Sequence, residues 1–210
     1  MMKKVSLLIF ASVLSGCSFL SQDEPLPLYT LKSGDVVPSQ TLVDSLAVDI
    51  PLAEASLDTQ RIALTPSPYE RDYLADGQWP ERLPKIMQEV LLESLSTRWG
   101  AGTVSRLSAG LHVDYLLQTD IQDFSVHYLN TDHPEVHLKI AFKVVHLRER
   151  KVLGAEVFCV NEPVCSPSMT FIVEAFNKGF QGLLEQAMPW MESTLLKKSV
   201  FDTRNDKLGR

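Results

Sequence analysis

The sequence predicts an α+β domain: a mainly antiparallel sheet with two long helices packed on one face. Three observations lead there. Residues 83–99 and 172–191 each carry apolar side chains at helical spacing. Residues 113–160 alternate apolar and polar side chains through two turns, the pattern of a meander with one dry face and one wet face. At 210 residues, 45% of them hydrophobic and 22% charged, the chain can fill one sizeable core.

Before that domain comes a leader. Met1 to Lys4 is short and basic, Val5 to Leu14 is apolar, and Leu14-Ser15-Gly16-Cys17 follows at the length of a bacterial signal peptide. The small residues ahead of Cys17 resemble a lipobox, where the cysteine sulfur receives a diacylglyceryl group and residues 1–16 are removed. An ordinary secretory leader with an incidental cysteine is the alternative. Several acyl chains on one residue exceed the two-signal requirement for stable anchoring. Ser18, where sorted lipoproteins kept at the inner membrane carry Asp, resembles the outer-membrane pattern. Residues 17–27 then form the lipidated N-terminus and a polar, Pro-broken tether, which reaches ~35 Å at most.

The folded region spans 28–196. Leu28 to Leu31 is a short strand candidate. Leu46, Val48 and Ile50 alternate with Ala47 and Asp49, and Pro51 ends that strand. Ile62 and Leu64 continue the alternation, and Pro66 to Pro68 turn the chain into a strand over Tyr69 to Leu74. Leu83, Ile86, Met87, Val90, Leu91, Leu95 and Trp99 form the stripe of the first helix. Pro80 suits a first helical turn. Pro84 disfavours helical geometry at Leu83, so the regular helix is expected from about Pro84. Gly100-Ala101-Gly102 stops it.

In the meander, Val113, Tyr115, Leu117, Thr119 and Ile121 share one face, and then the phase shifts to Phe124, Val126 and Tyr128. An odd-to-even shift implies a bulge near Gln122-Asp123. Asn130 to Pro134 turn the chain. Val136, Leu138, Ile140, Phe142 and Val144 give the cleanest alternation, and Arg148 to Arg150 lead into the returning strand at Val152 to Val160. The last helix opens at Pro167 or Ser168. Its stripe is Ile172, Phe176, Phe180, Leu183, Leu184, Ala187 and Met191, with a kink expected at Pro189. Residues 197–210 are polar and patternless, a flexible tail.

Leu57-Asp58-Thr59-Gln60-Arg61-Ile62, then Tyr69 and Tyr73, then Ala75-Asp76-Gly77-Gln78-Trp79-Pro80-Glu81-Arg82-Leu83-Pro84 resemble the central pattern of the ABC-type transport auxiliary lipoproteins. The one departure is Pro80, where a small residue is expected after the Trp. The resemblance implies a strand meander closed by a helix, and a lipoprotein component of transport systems built around MCE-domain proteins. Such systems move lipids or other hydrophobic molecules between two membranes. The chain would then be an outer-membrane-anchored docking component on the periplasmic face. Its partners would be an MCE-domain protein with its inner-membrane transport components, and outer-membrane lipid through the Cys17 acyl chains. Homo-oligomerisation is left open. The alternative is a lipoprotein regulator of a peptidoglycan synthase, against which the short tether argues. An anchored enzyme is the third possibility.

Composition narrows the chemistry. The net charge of −6 becomes more negative once Lys3 and Lys4 leave with the leader, which disfavours nucleic acid and anionic headgroups. No stretch after residue 17 is apolar for the ~18 residues a membrane helix needs. No nucleophile elbow or phosphate loop is present, and neither catalysis nor a cofactor is expected. Cys159 and Cys165 are expected to form a disulfide around Val160 to Val164 in an oxidising compartment, the alternative being two buried thiols. The histidines read as surface or edge residues. His133 and His137 lack further ligands for a metal. Tyr69, Tyr73 and Trp79 are either an exposed platform for a partner or acyl chain, or, more simply, core with Trp79 stapling the helix start.

Overall fold

In the computed structural model, residues 25–39, 44–128 and 134–206 are described. The expected leader, Cys17, the start of the tether, most of the turn at Asn130 and the last four residues lie outside them. Among these residues, eight strands and two α-helices follow in chain order, with a short 3-10 turn at Leu107–Ala109. They are β1 (Leu46–Val48), β2 (Leu52–Ala53), β3 (Arg61–Ser67), β4 (Glu70–Gln78), α1 (Leu83–Trp99), β5 (Val104–Arg106), β6 (Tyr115–His127), β7 (Glu135–His146), β8 (Lys151–Pro163) and α2 (Met169–Asp206).

Strand β6 is the spine. One of its edges pairs antiparallel with β7 over the whole strand, and β7 pairs antiparallel with β8. The other edge is shared in succession by β1 at Tyr115–Leu117, β2 at Asp120–Ile121 and β3 at Ser125–His127, all parallel to it. Beyond them β5 adds to β1 in parallel, and β4 adds to β3 as an antiparallel hairpin. The sheet is therefore mixed, and the expectation of a mainly antiparallel sheet is corrected. Parallel neighbours need a crossover connection, and here the intervening segment through α1 supplies it. The class remains α+β.

The meander stands as expected, and so does the bulge. Ile121 faces Ile140 and Asp123 faces Lys139, which leaves Gln122 as the extra residue. Every residue of both helical stripes is buried, and both helices join the inward side chains of β6 and β7 in a single core cluster. Its centre is aromatic: Phe124 stacks on Phe176 with centroids 4.9 Å apart, and Trp79 meets both edge-on at 6.2 and 5.6 Å.

The helix starts have local causes. Leu83 N–H donates to the Thr59 carbonyl at 3.0 Å, and Arg82 is ion-paired to Asp58, so the chain is pinned before the first turn. That pinning lets α1 begin at Leu83, with Pro84 tolerated inside the first turn. Pro80 lies in the bend before the helix, not in its first turn as expected. Gly100, with φ of 96°, returns its N–H to the Ser96 carbonyl and ends α1. Inside, the buried Gln88 donates its amide to the Val48 carbonyl at 3.1 Å, satisfying the end of β1.

Other expectations change. Leu28 to Leu31 form no strand, only a single parallel bridge from Leu28 to Gln78. The segment is instead a strap. Tyr29 N–H bonds the Gln78 carbonyl, Lys32 N–H bonds Asn177 Oδ1 at 2.8 Å, and Arg98 holds the Val37 carbonyl at 2.9 Å. β1 stops at Val48, so Ile50 is 51% exposed rather than in the core. β6 starts at Tyr115, after Val113. Helix α2 runs on through Asp206, past the boundary at residue 196 where a tail was expected. The two helices are tied by Glu192, which accepts from Arg98 Nε at 2.7 Å and from Trp99 Nε1 at 2.9 Å. Arg98 holds the Glu192 carboxyl below its usual range, against the opposing effect of burial.

Candidate functional site on the face away from the helices

The bulge at Gln122 builds the site. Up to Ile121 the odd residues of β6 face the helices. Past the bulge the even residues Phe124 and Val126 do so, and Asp123, Ser125 and His127 turn to the other face. On β7, His137 lies opposite Ser125 and diagonal to His127. The two imidazoles stack with centroids 3.8 Å apart and planes 7° from parallel. From the far side, Thr65 on β3 and Arg71 on β4 complete the group.

Its hydrogen bonds interlock. Asp123 Oδ1 accepts from Ser125 Oγ at 2.6 Å and from Arg71 at 3.3 Å. Arg71 also reaches Thr65 Oγ1 at 3.2 Å and Glu54 at 3.5 Å. Asp123 Oδ2 faces His127 Nε2 at 2.9 Å, with Ser125 Oγ 3.1 Å from the same nitrogen. His127 Nδ1 is sealed from solvent and has no hydrogen-bond partner among the described residues. Burial lowers the His127 pKa and outweighs the attraction of Asp123, and His137 and Arg71 add to the lowering. Burial thus favours the neutral ring, and Nε2, facing a carboxylate oxygen that can only accept, is the nitrogen placed to donate.

Asp, His and Ser here do not make a nucleophile relay. A relay uses one imidazole nitrogen for the hydroxyl and the other for the carboxylate, whereas both partners share Nε2. Ser125 is also 0% exposed in surface area, out of reach of a substrate. The group is suited to binding.

Along the same face runs a shallow groove of about 340 Å³. Leu52, 71% exposed, and Val157, 46% exposed, are its apolar walls, with Ala141, Asp120 and Lys143 on the same face of the sheet. Exposed apolar side chains gathered in one hollow mark a contact surface more than scattered ones do.

The residues singled out in the sequence are dispersed. Trp79 is 1% exposed in the core, Tyr69 is fully exposed at the tip of the β3–β4 hairpin, and Tyr73 is half-buried under Arg61 at 3.7 Å. They form no common platform, and the core reading of Trp79 holds. Cys159 and Cys165 are exposed free thiols, neither disulfide-bonded nor buried. Cys159 pairs with Lys139 in the ladder, and the extended backbone continues through Val164, whose N–H bonds the Pro134 carbonyl. At ~3.3 Å per residue this separates the two Cα atoms by more than ~12 Å, against a limit near 7 Å for a disulfide. The expected bond is corrected on that ground. Arg71, Asp123 and His127 were not anticipated as a group, although Asp-x-Ser-x-His on the polar phase after the bulge is a legible signal. His137, considered with His133 and given no further ligands, lies beside Asp123 and His127.

The structure is thus a helix-backed mixed sheet of the α+β class, with an open groove and a polar cluster on the face away from the helices. Among the described residues no helix is long and apolar enough to cross a membrane. The chain belongs to the family of ABC-type transport auxiliary lipoprotein components, whose sequence model matches residues 29–187. It is 26% identical over 152 residues to the uncharacterized protein bll6063 of Bradyrhizobium diazoefficiens, covering 72% of this chain and 40% of that protein, so it spans less than half of that relative. The fold is similar to the crystal structure of protein XCC0632 from Xanthomonas campestris, with a TM-score of 0.74 at 20% identity, covering 83% of this chain and 99% of that one. It is also similar to the hypothetical protein CT253 from Chlamydia trachomatis, with a TM-score of 0.51 at 8% identity, covering 73% and 98%.

Proposed function

We propose that this auxiliary lipoprotein is anchored in the outer membrane through acyl chains on Cys17 and docks a periplasmic MCE-domain protein of an ABC-linked lipid transport system. Its contribution is placement and binding energy, with ATP hydrolysis left to another subunit. The observation that carries the docking half is the apolar groove bounded by Leu52 and Val157 on the face the helices leave open. Asp120 and Lys143 on that face offer register to a partner, as polar rims do around apolar interface centres. The family match carries the transport half, and the leader with its cysteine carries the anchor.

A photo-crosslinking residue at Val157 in living cells, with Tyr69 as the comparison site, tests the docking surface. Capture of an MCE-domain protein from position 157 and not from 69 is expected. Capture of a peptidoglycan synthase, or equal capture from both sites, overturns the proposal. Membrane fractionation of Cys17→Ala tests the anchor, which is wrong if the variant still sediments with the outer membrane.

A further inference from the structure

We propose that Asp123, His127 and His137 bind one borderline first-row divalent cation, with Zn²⁺ as the reference case. One donor atom from each of the three residues lies within 4.8 Å of the others. Ligands on a tetrahedral ion with bonds of ~2.1 Å stand about 3.4 Å apart, so closure needs side-chain movements on the order of 1 Å. Asp123 Oδ2 and His127 Nε2, at 2.9 Å, are already near that spacing. The near-parallel imidazole of His137, 3.8 Å away, supplies the third donor by tilting toward them.

The surroundings orient these donors as second-shell groups do in metal sites. Ser125 and Arg71 occupy Asp123 Oδ1 and leave Oδ2 directed at His127. Glu135 Oε2 stands 3.4 Å from His137 Nε2 and steadies that ring through one nitrogen. Among the described residues His127 Nδ1 has no hydrogen-bond partner. A cation at Nε2 displaces the imidazole proton to Nδ1, at the loss of one hydrogen bond to Asp123 and with the buried Nδ1–H left without an acceptor among the described residues. No oxidation or bond cleavage is involved. Glu54, Asp123 and Glu135 outnumber Arg71 and Lys139 around the cluster, which favours a positive guest. Two imidazoles and one carboxylate suit Zn²⁺, Ni²⁺ or Cu²⁺ and not Mg²⁺ or Ca²⁺. Water would complete the coordination, since side-chain exposure of 15% at His127 and 26% at His137 leaves the cluster open on one side.

The test uses the full chain in detergent, purified without a histidine tag and stripped with chelator. Zn²⁺ is titrated calorimetrically, and Co²⁺ is followed by its visible absorption as a tetrahedral reporter. One equivalent of Zn²⁺ is expected to bind, with the affinity falling at least tenfold in His137→Ala and in His127→Ala. His112→Ala, an exposed histidine elsewhere, should bind as wild type. Circular dichroism checks folding, and if His127→Ala fails to fold, His137→Ala alone decides. Absence of stoichiometric Zn²⁺ binding, unchanged affinity in His137→Ala, or Mg²⁺ binding as tight as Zn²⁺ each overturns the proposal.

Discussion

Replacing Trp79 with Ala is the sharpest test of the core. Trp79 is 1% exposed and meets Phe124 and Phe176 edge-on, so truncation removes the indole and leaves a void beside the stacked pair. Burial of that size is worth about 3–5 kcal/mol when deleted to Ala. For a chain of this length each kcal/mol moves the melting temperature by about 2–4 °C, so Tm should fall by roughly 6–20 °C. Thermal and guanidinium melts followed by far-ultraviolet circular dichroism measure it. Tyr69→Ala serves as the comparison and should stay within about 0.5 kcal/mol of wild type, because its side chain is fully exposed. A Trp79→Ala protein that melts with wild type while losing its partner would refute the packing account and revive the platform.

Two further predictions concern titration and redox state. Glu192 has a folded pKa depressed chiefly by Arg98, so the unfolded chain binds its proton more tightly. The associated stability is present above the ordinary value of 4.5 and is lost as pH falls through the lower folded value. Melts between pH 6 and about 3 should therefore show a smaller acid-induced loss in Glu192→Gln than in wild type; equal slopes would contradict the assignment. Cys159 and Cys165 should both react with a thiol reagent in the native, unreduced protein, each signal disappearing on substitution by Ser. Thiols that appear only after reduction would restore the disulfide.

Periodicity made the helical stripes, the β7 alternation and the bulge at Gln122 legible, because each is a local consequence of which side chains face the core. Partner choice between distant strands is not local. Nothing within Leu46 to Val48 or Arg61 to Ser67 states that both lie parallel along β6, so the sheet was misjudged although its longer strands were found, and the short β2 and β5 were missed. Trp79 illustrates a second limit. An aromatic beside a helix start fits a buried wedge or a surface platform equally well until Phe124 and Phe176 are in place around it. The histidine cluster shows a third. His127 and His137 meet only through the diagonal register of the β6–β7 hairpin, and attention fell on His133 and His137 because they are close in sequence. The cysteines were misread because the returning strand was expected to end at Val160, whereas β8 continues to Pro163.

The shared edge of β6 carries a consequence for the order in which the molecule is assembled. Leu46 waits for Tyr115, Leu52 for Asp120 and Ala63 for Ser125, so β1 and β2 find no partner until much later residues have been synthesised. Among the described residues of the N-terminal half, helix α1 and the β3–β4 hairpin close on local contacts, while β1 and β2 do not. Contacts of such long range slow folding. A nascent or translocating chain truncated before β6 should therefore remain unfolded and open to chaperones, and the domain should acquire its structure in one late, cooperative step.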